Sequence, residues 1–194
     1  MSIYMPQARR VAQLATLLAG LLMIPWAMAN SVTVKGETFE RTVEEHGQRY
    51  HLIGSGVLRY MIWTAYAGAY YQAADDTQPQ PLSDVPRRLE LAYFHAIEAS
   101  EFVEATTDTL RDNLTAYEYA QLETQIDAFN ASYQDVEPQD RYVLSWDGDT
   151  LRLVLNGDTL FEGGNAELAN AMFGIWLGER PLKEGFRDAL LGRD

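Results

Sequence analysis

Residues 54–71, GSGVLRYMIWTAYAGAYY, constrain this chain more than any other stretch. A Gly-x-Gly turn leads into a run of aromatic and aliphatic residues, broken by Arg59, Thr64 and Gly68. Runs this rich in Tyr, Trp, Ile and Val favour strand, because bulky side chains pack well on a pleated surface. Gly68 inside the run marks a bulge or a place where something approaches the backbone closely. A single guanidinium among so many rings must find a partner, reach solvent or meet a ligand. The stretch is therefore predicted to be a sheet centre or the wall of a pocket.

The first 29 residues read as an export signal. Arg9 and Arg10 precede an apolar run over residues 11–24, and Ala27-Met28-Ala29 has the form of a signal-peptidase site. Cleavage is expected after Ala29, with export to the periplasm. The apolar run falls short of the roughly 20 residues of a spanning helix, and no later run is long enough, so no integral membrane segment is expected after cleavage. This leader holds two of the 15 basic residues and none of the 28 acidic ones, which leaves 13 against 28 and a net charge near −15. Such a balance argues against nucleic acid and against docking of the chain by its overall charge on an anionic membrane. It leaves an apolar ligand open. With no cysteine, disulfides and thiolate metal sites are excluded, and residues 30–194 are read as a single domain held by core packing.

Residues 32–43 alternate loosely and read as one or two strands joined at Gly36. Residues 50–53 start a strand feeding the Gly54–Gly56 turn. A polar, Pro-rich stretch over 73–86 marks an exposed loop. Residues 87–95 then alternate, with Leu89, Leu91 and Tyr93 on one face and Arg88, Glu90 and Ala92 on the other, as in a half-buried strand. Ser100 caps a predicted helix to about residue 114. Thr115 and Glu118 form a capping box for a second, whose apolar stripe is Tyr119, Leu122, Ile126, Phe129 and Tyr133. Residues 141–146, 151–155 and 159–161 are three strands joined at Asp147-Gly148-Asp149 and Asn156-Gly157-Asp158. Asn165 caps a third helix, broken at Gly178 and Pro181, and residues 182–191 form a last one. Clustered strands and separate helices predict an α+β fold with a largely antiparallel sheet.

Little conventional chemistry is available. His46, His51 and His95 lie far apart without ligand spacing, and Asp147-Gly148-Asp149 is too short for a calcium loop, so no metal is expected. There is no nucleophile elbow, Walker loop or dinucleotide fingerprint, and no cofactor is expected. Asn113-Leu114-Thr115 and Asn130-Ala131-Ser132 match the glycosylation pattern but fall in predicted helices.

Several landmarks, taken in order, resemble one family. They are the Gly-x-Gly, an arginine, and an aromatic strand ending Tyr66-x-Gly68-x-Tyr70. A strand Arg88-Leu89-Glu90-Leu91 and a helix opening Glu101-Phe102 follow. The close is Ile175-Trp176-Leu177-Gly178-Glu179-x-Pro181 and a terminal Leu190-Leu191-Gly192. Together these resemble the bacterial chalcone isomerase-like proteins over nearly the whole chain after the leader. The resemblance implies an antiparallel sheet packed against a layer of helices with an apolar cleft between them. Plant members of that superfamily close a flavonoid ring, whereas non-catalytic relatives bind fatty acids in the same cleft. The plant enzymes hold substrate with a tyrosine and an asparagine on their first long helix and a threonine on the strand. Alignment on those motifs puts Phe102, Thr109 and Ala65 at these positions, with Arg59 nearest to the enzymes' arginine. Losing one such polar contact costs on the order of 10²-fold in rate.

The leading expectation is thus a non-catalytic binder of a fatty acid or other small hydrophobic ligand. Arg59 would meet its head, and Trp63, Thr64, Tyr66, Phe102, Thr106 and Thr109 would line the cleft. One alternative is an isomerase or intramolecular lyase acting on a substrate other than a chalcone, with Arg59 as electrophile and Thr64, Tyr66 or Thr109 as polar contacts. The other is a structural or interaction protein whose Arg59 pairs with an acidic neighbour in the core.

Overall fold

A computed structural model describes residues 30–60, 62–73 and 80–193, with only the backbone at Tyr60; the leader lies outside them. Strands β1 (Ser31–Val34) and β2 (Glu37–Glu40) form a hairpin across Lys35 and Gly36, the break read from the sequence. Seven strands then make one sheet in chain order. They are β3 (Thr42–Glu45), β4 (Gln48–Tyr60), β5 (Trp63–Ala73), β6 (Arg87–Tyr93), β7 (Arg141–Trp146), β8 (Leu151–Leu155) and β9 (Asp158–Gly163). Every neighbouring pair is antiparallel. Helices α1 (Ala99–Asn113) and α2 (Ala116–Asn130) lie between β6 and β7, and α3 (Ala166–Leu177) and α4 (Glu184–Leu190) follow β9. The α+β, antiparallel expectation matches this architecture. Among the described residues no helix is long and apolar enough to cross a membrane.

Local chemistry sets most element ends. At α2 the Glu118 amide donates to Thr115 Oγ1 (3.2 Å) while the Thr115 amide donates to the Glu118 carboxylate (2.8 Å). At α3 Asn165 Oδ1 accepts from the Leu168 amide at 2.9 Å. In the β7–β8 turn, Asp147 Oδ1 accepts from the amides of Asp149 and Thr150. The start of α1 differs from expectation, since its N-cap is Glu98 rather than Ser100. The Glu98 amide donates to Glu101 (3.0 Å), and the Ala99 amide donates to Asp135, a partner 36 positions away.

Gly54 and Gly56 are not a turn. Both lie within β4, and Gly56 stands opposite Gly68 in β5. The cause is α4, which lies against these strands. A Cβ at Gly54 would fall 2.3 Å from the Ala189 carbonyl oxygen; one at Gly56, 2.6 Å from Ala189 Cβ; one at Gly68, 2.7 Å from the Phe186 ring. Three glycines thus clear a floor on the sheet for the last helix. The close approach expected at Gly68 is real.

The sheet is covered on both faces. On one, Tyr66, Tyr70, Leu89, Leu91 and Leu144 pack under α1, α2, α3 and α4, against Leu110, Ile126, Met172 and Phe186 among others. On the other, Phe39 of β2 closes over Tyr50, Ala67, Ala69, Tyr71 and Ala92. This second cover corrects the reading of residues 87–95 as half-buried, because β6 is enclosed from both sides. On the second face Arg88 and Glu90 survive by pairing. Arg88 reaches Glu90 at 2.6 Å and Glu45 at 3.3 Å, and Arg141 bridges Glu90 to Glu37.

Candidate ligand-binding site

Strand β5 and helix α1 bring three of the seven expected residues together between sheet and helices. Tyr66 is buried, and its hydroxyl accepts from Trp176 Nε1 of α3 at 2.8 Å. Its ring meets Tyr93 edge-on at 5.3 Å, and Tyr93 meets Phe102 at 5.6 Å. Phe102 stacks on Tyr133 (5.3 Å, 21° between planes) and touches Tyr142 edge-on. One turn along α1, the Thr106 hydroxyl and the Tyr133 hydroxyl share a hydrogen bond of 3.0 Å. Thr109 lies a further turn along α1, and its hydroxyl donates back to the Ala105 carbonyl at 2.7 Å.

The electrostatics of this interior suit neutral chemistry only. Burial pushes the phenols of Tyr66, Tyr93 and Tyr133 well above their usual range, the Trp176 and Thr106 hydrogen bonds offsetting it in part at Tyr66 and Tyr133. These hydroxyls therefore stay protonated, and those of Tyr66, Thr106, Thr109 and Tyr133 are each engaged within the chain. The walls are rings and methyl groups.

Arg59, Trp63 and Thr64 are elsewhere. Arg59 is exposed near the end of the β4–β5 hairpin, where the register slips between Leu58 and Arg59. Its expected place in the cleft or the core is thereby corrected; Leu58 before it packs into the helix-covered core, and successive side chains of a strand face opposite ways. Trp63 is 59% exposed and edge-on to His95 at 5.4 Å. Thr64 is buried, but its hydroxyl accepts from Lys35 Nζ on the β1–β2 turn.

The guanidinium wholly enclosed among the described residues is Arg87. It donates to the Ser83 carbonyl and to Asn170 Oδ1, and lies over the Phe173 ring at 4.7 Å. Burial pulls its pKa down to about 10, against the opposing influence of Tyr70 and Asp84. Among the described residues it forms no ion pair with a carboxylate, so neutral acceptors and a ring hold a desolvated charge. A signal was present: Arg87 shares the inward parity of Leu89 and Leu91.

A separate groove of about 860 Å³ runs between α2 and α3 past the end of α1. It exists because α3 turns Ala171 and Gly174 toward it, and a Cβ at Gly174 would meet nothing within 4 Å. None of the seven expected residues lines it, and its rim includes Asp112, Glu118, Glu167 and Glu179 against Arg180. Among the described residues no cluster of histidine and carboxylate side chains could hold a metal ion.

A protein family described as chalcone isomerase-like matches residues 31–192 of this sequence. The chain belongs to the chalcone isomerase-like family. The crystal structure of a fatty-acid binding protein from Arabidopsis thaliana shares the fold with a TM-score of 0.65 at 15% identity, over 83% of this chain and 95% of that one. No curated protein matches the sequence. The motifs that carried the resemblance have physical causes in this chalcone isomerase-like fold. Gly178 ends α3 with its amide on the Gly174 carbonyl (3.0 Å), at a point where a Cβ would lie 2.6 Å from that same oxygen. Gly192 ends α4 at φ +64°, a conformation that side chains disfavour.

Proposed function

We propose that this chain is exported to the periplasm, its leader cut after Ala29, and there binds a fatty acid or another small hydrophobic molecule without transforming it. The observation that carries this reading is the interior at Tyr66, Phe102 and Thr106. The hydroxyls of Tyr66, Thr106 and Tyr133 are paired within the chain and burial holds the phenols neutral, so none of these groups stands ready to move a proton. Rings and methyl groups, by contrast, favour an apolar guest, by roughly 25 cal/mol per Å² of surface removed from water. The half-buried Phe102 and Tyr133 rings are the pair that parts to admit it. The fatty-acid binding neighbour of the same fold supports this class of guest.

Native mass spectrometry of the protein purified without denaturant is expected to show an adduct with the mass of an acyl-chain amphiphile, displaced by a fluorescent fatty acid. A protein that is empty and takes up no such probe overturns the reading. For export, the intact mass of periplasmic material is expected to correspond to a chain beginning at Asn30. A mass that retains the leader refutes cleavage at that site.

A further inference from the structure

The β4–β5 hairpin outruns its neighbours. β3 pairs with β4 only as far as His51, and β6 meets β5 only from Tyr66 onward. Beyond these limits β4 and β5 pair with each other, α4 covers Gly54 and Gly56, and nearer the tip the Phe94 amide donates to the Ala65 carbonyl. Near the tip Ile62 is 88% exposed and Trp63 beside it 59%. Neither is packed in the core, so the fold itself gives no reason for two large apolar side chains there.

The charged surroundings run against the rest of the chain. Lys35 sits with its ammonium on Thr64 and 5.5 Å from the Phe94 ring centre, Arg59 stands opposite Thr64, and the His95 imidazole packs on Trp63. None of these is acidic, in a protein with 28 acidic residues against 15 basic. On the segment from His95 into α1, the acids are Glu98 and Glu101, and the Glu101 carboxylate accepts from the Glu98 amide in the first turn.

We infer that this hairpin tip docks on an anionic phospholipid bilayer. Trp63 and Ile62 enter the headgroup boundary, where an indole places its apolar body and polar edge to advantage, and Lys35 and Arg59 meet lipid phosphates. The chain's net negative charge does not prevent this, because charges beyond about 8 Å are largely screened at physiological salt. A protein partner suits the feature less: a specific interface takes on the order of 1,000 Å² or more, and a narrow hairpin tip, with Ile62 and Trp63 as its exposed apolar side chains among the described residues, offers little of that.

Sedimentation of the exported protein with vesicles tests the inference. Vesicles of phosphatidylethanolamine with phosphatidylglycerol are expected to retain it, those of phosphatidylcholine alone much less, and added salt to release it. Replacing Ile62 and Trp63 together by serine is expected to lower the partition by more than about tenfold, and Arg59→Gln by about fivefold. Tryptophan emission is expected to shift to the blue on binding, and Trp63→Phe to remove that shift although Trp146 and Trp176 remain. Unchanged circular dichroism checks that these surface variants fold. Wild-type protein left in the supernatant, a double-serine variant that binds equally well, or retention only through an added protein overturns the proposal.

Discussion

Raising the pH above 10 is expected to unfold this protein over a narrow interval. Burial pushes up the phenols of Tyr50, Tyr66, Tyr70, Tyr71, Tyr93, Tyr133 and Tyr142, Tyr50 to about 12 and others further. In the unfolded chain each phenol loses its proton near pH 10, while the native state still holds it. Below pH 10 both states are neutral and the stability is intact; above it the native state binds more protons, so stability falls as pH rises. Until its own raised pKa is reached, each strongly shifted group withdraws about 1.4 kcal/mol per pH unit, and the six besides Tyr142 together withdraw about 8. Arg87 works in the opposite direction between about 10 and its ordinary 12.5, offsetting one of them. A domain stable by about 5–15 kcal/mol does not survive that slope for long. Far-ultraviolet circular dichroism and tyrosinate absorbance are expected to change together in one cooperative step. Gradual ionisation of these phenols with the fold intact up to about pH 12 refutes the account.

Gly54→Ala is the most damaging small substitution expected in the sheet. Its methyl group would lie 2.3 Å from the Ala189 oxygen, 2.7 Å from the Leu190 oxygen and 2.8 Å from the Gly192 nitrogen. These are backbone atoms, so no side chain can swing aside, and either β4 bends or α4 lifts. Lifting α4 exposes Phe186 and Leu190, both now buried. A loss of about 3 kcal/mol is expected, or a melting temperature lower by about 6–12 °C for a chain of this size. Gly185→Ala provides the contrast. It lies in α4 itself with nothing within 4 Å of a new Cβ, and is expected to stabilise by about 0.5–1 kcal/mol through helix propensity. Thermal and denaturant unfolding measure both. A Gly54→Ala protein that melts with the wild type shows that the glycine floor is not needed.

The two substitutions bear on how much of the molecule was legible beforehand. The Thr115–Glu118 box, the Asn165 cap, the Asp147-Gly148-Asp149 turn and the alternation through β6 were readable because each depends on residues a few positions apart. The motifs of the chalcone isomerase-like family were readable for a related reason, since Gly178 and Gly192 terminate their helices by local backbone geometry. The family resemblance implied a cleft lined by Tyr66, Phe102 and Thr106, which the fold does gather, whereas the expected place of Arg59 beside them did not hold.

Residues 54–71 separate the two kinds of information most clearly. Their composition by itself determined a long aromatic strand region within an antiparallel α+β fold. Only the tertiary structure decided what its special residues are for. The Gly-x-Gly is a seat for a helix more than 120 positions away rather than a turn, because Ala189 and Gly192 need the space a side chain would fill. Arg59 faces solvent and Arg87 is the enclosed cation, because Asn170, 83 positions from Arg87, supplies an acceptor and Phe173 a ring to hold it. A buried charge is stable only where distant elements bring it partners, and a single strand read alone does not contain them.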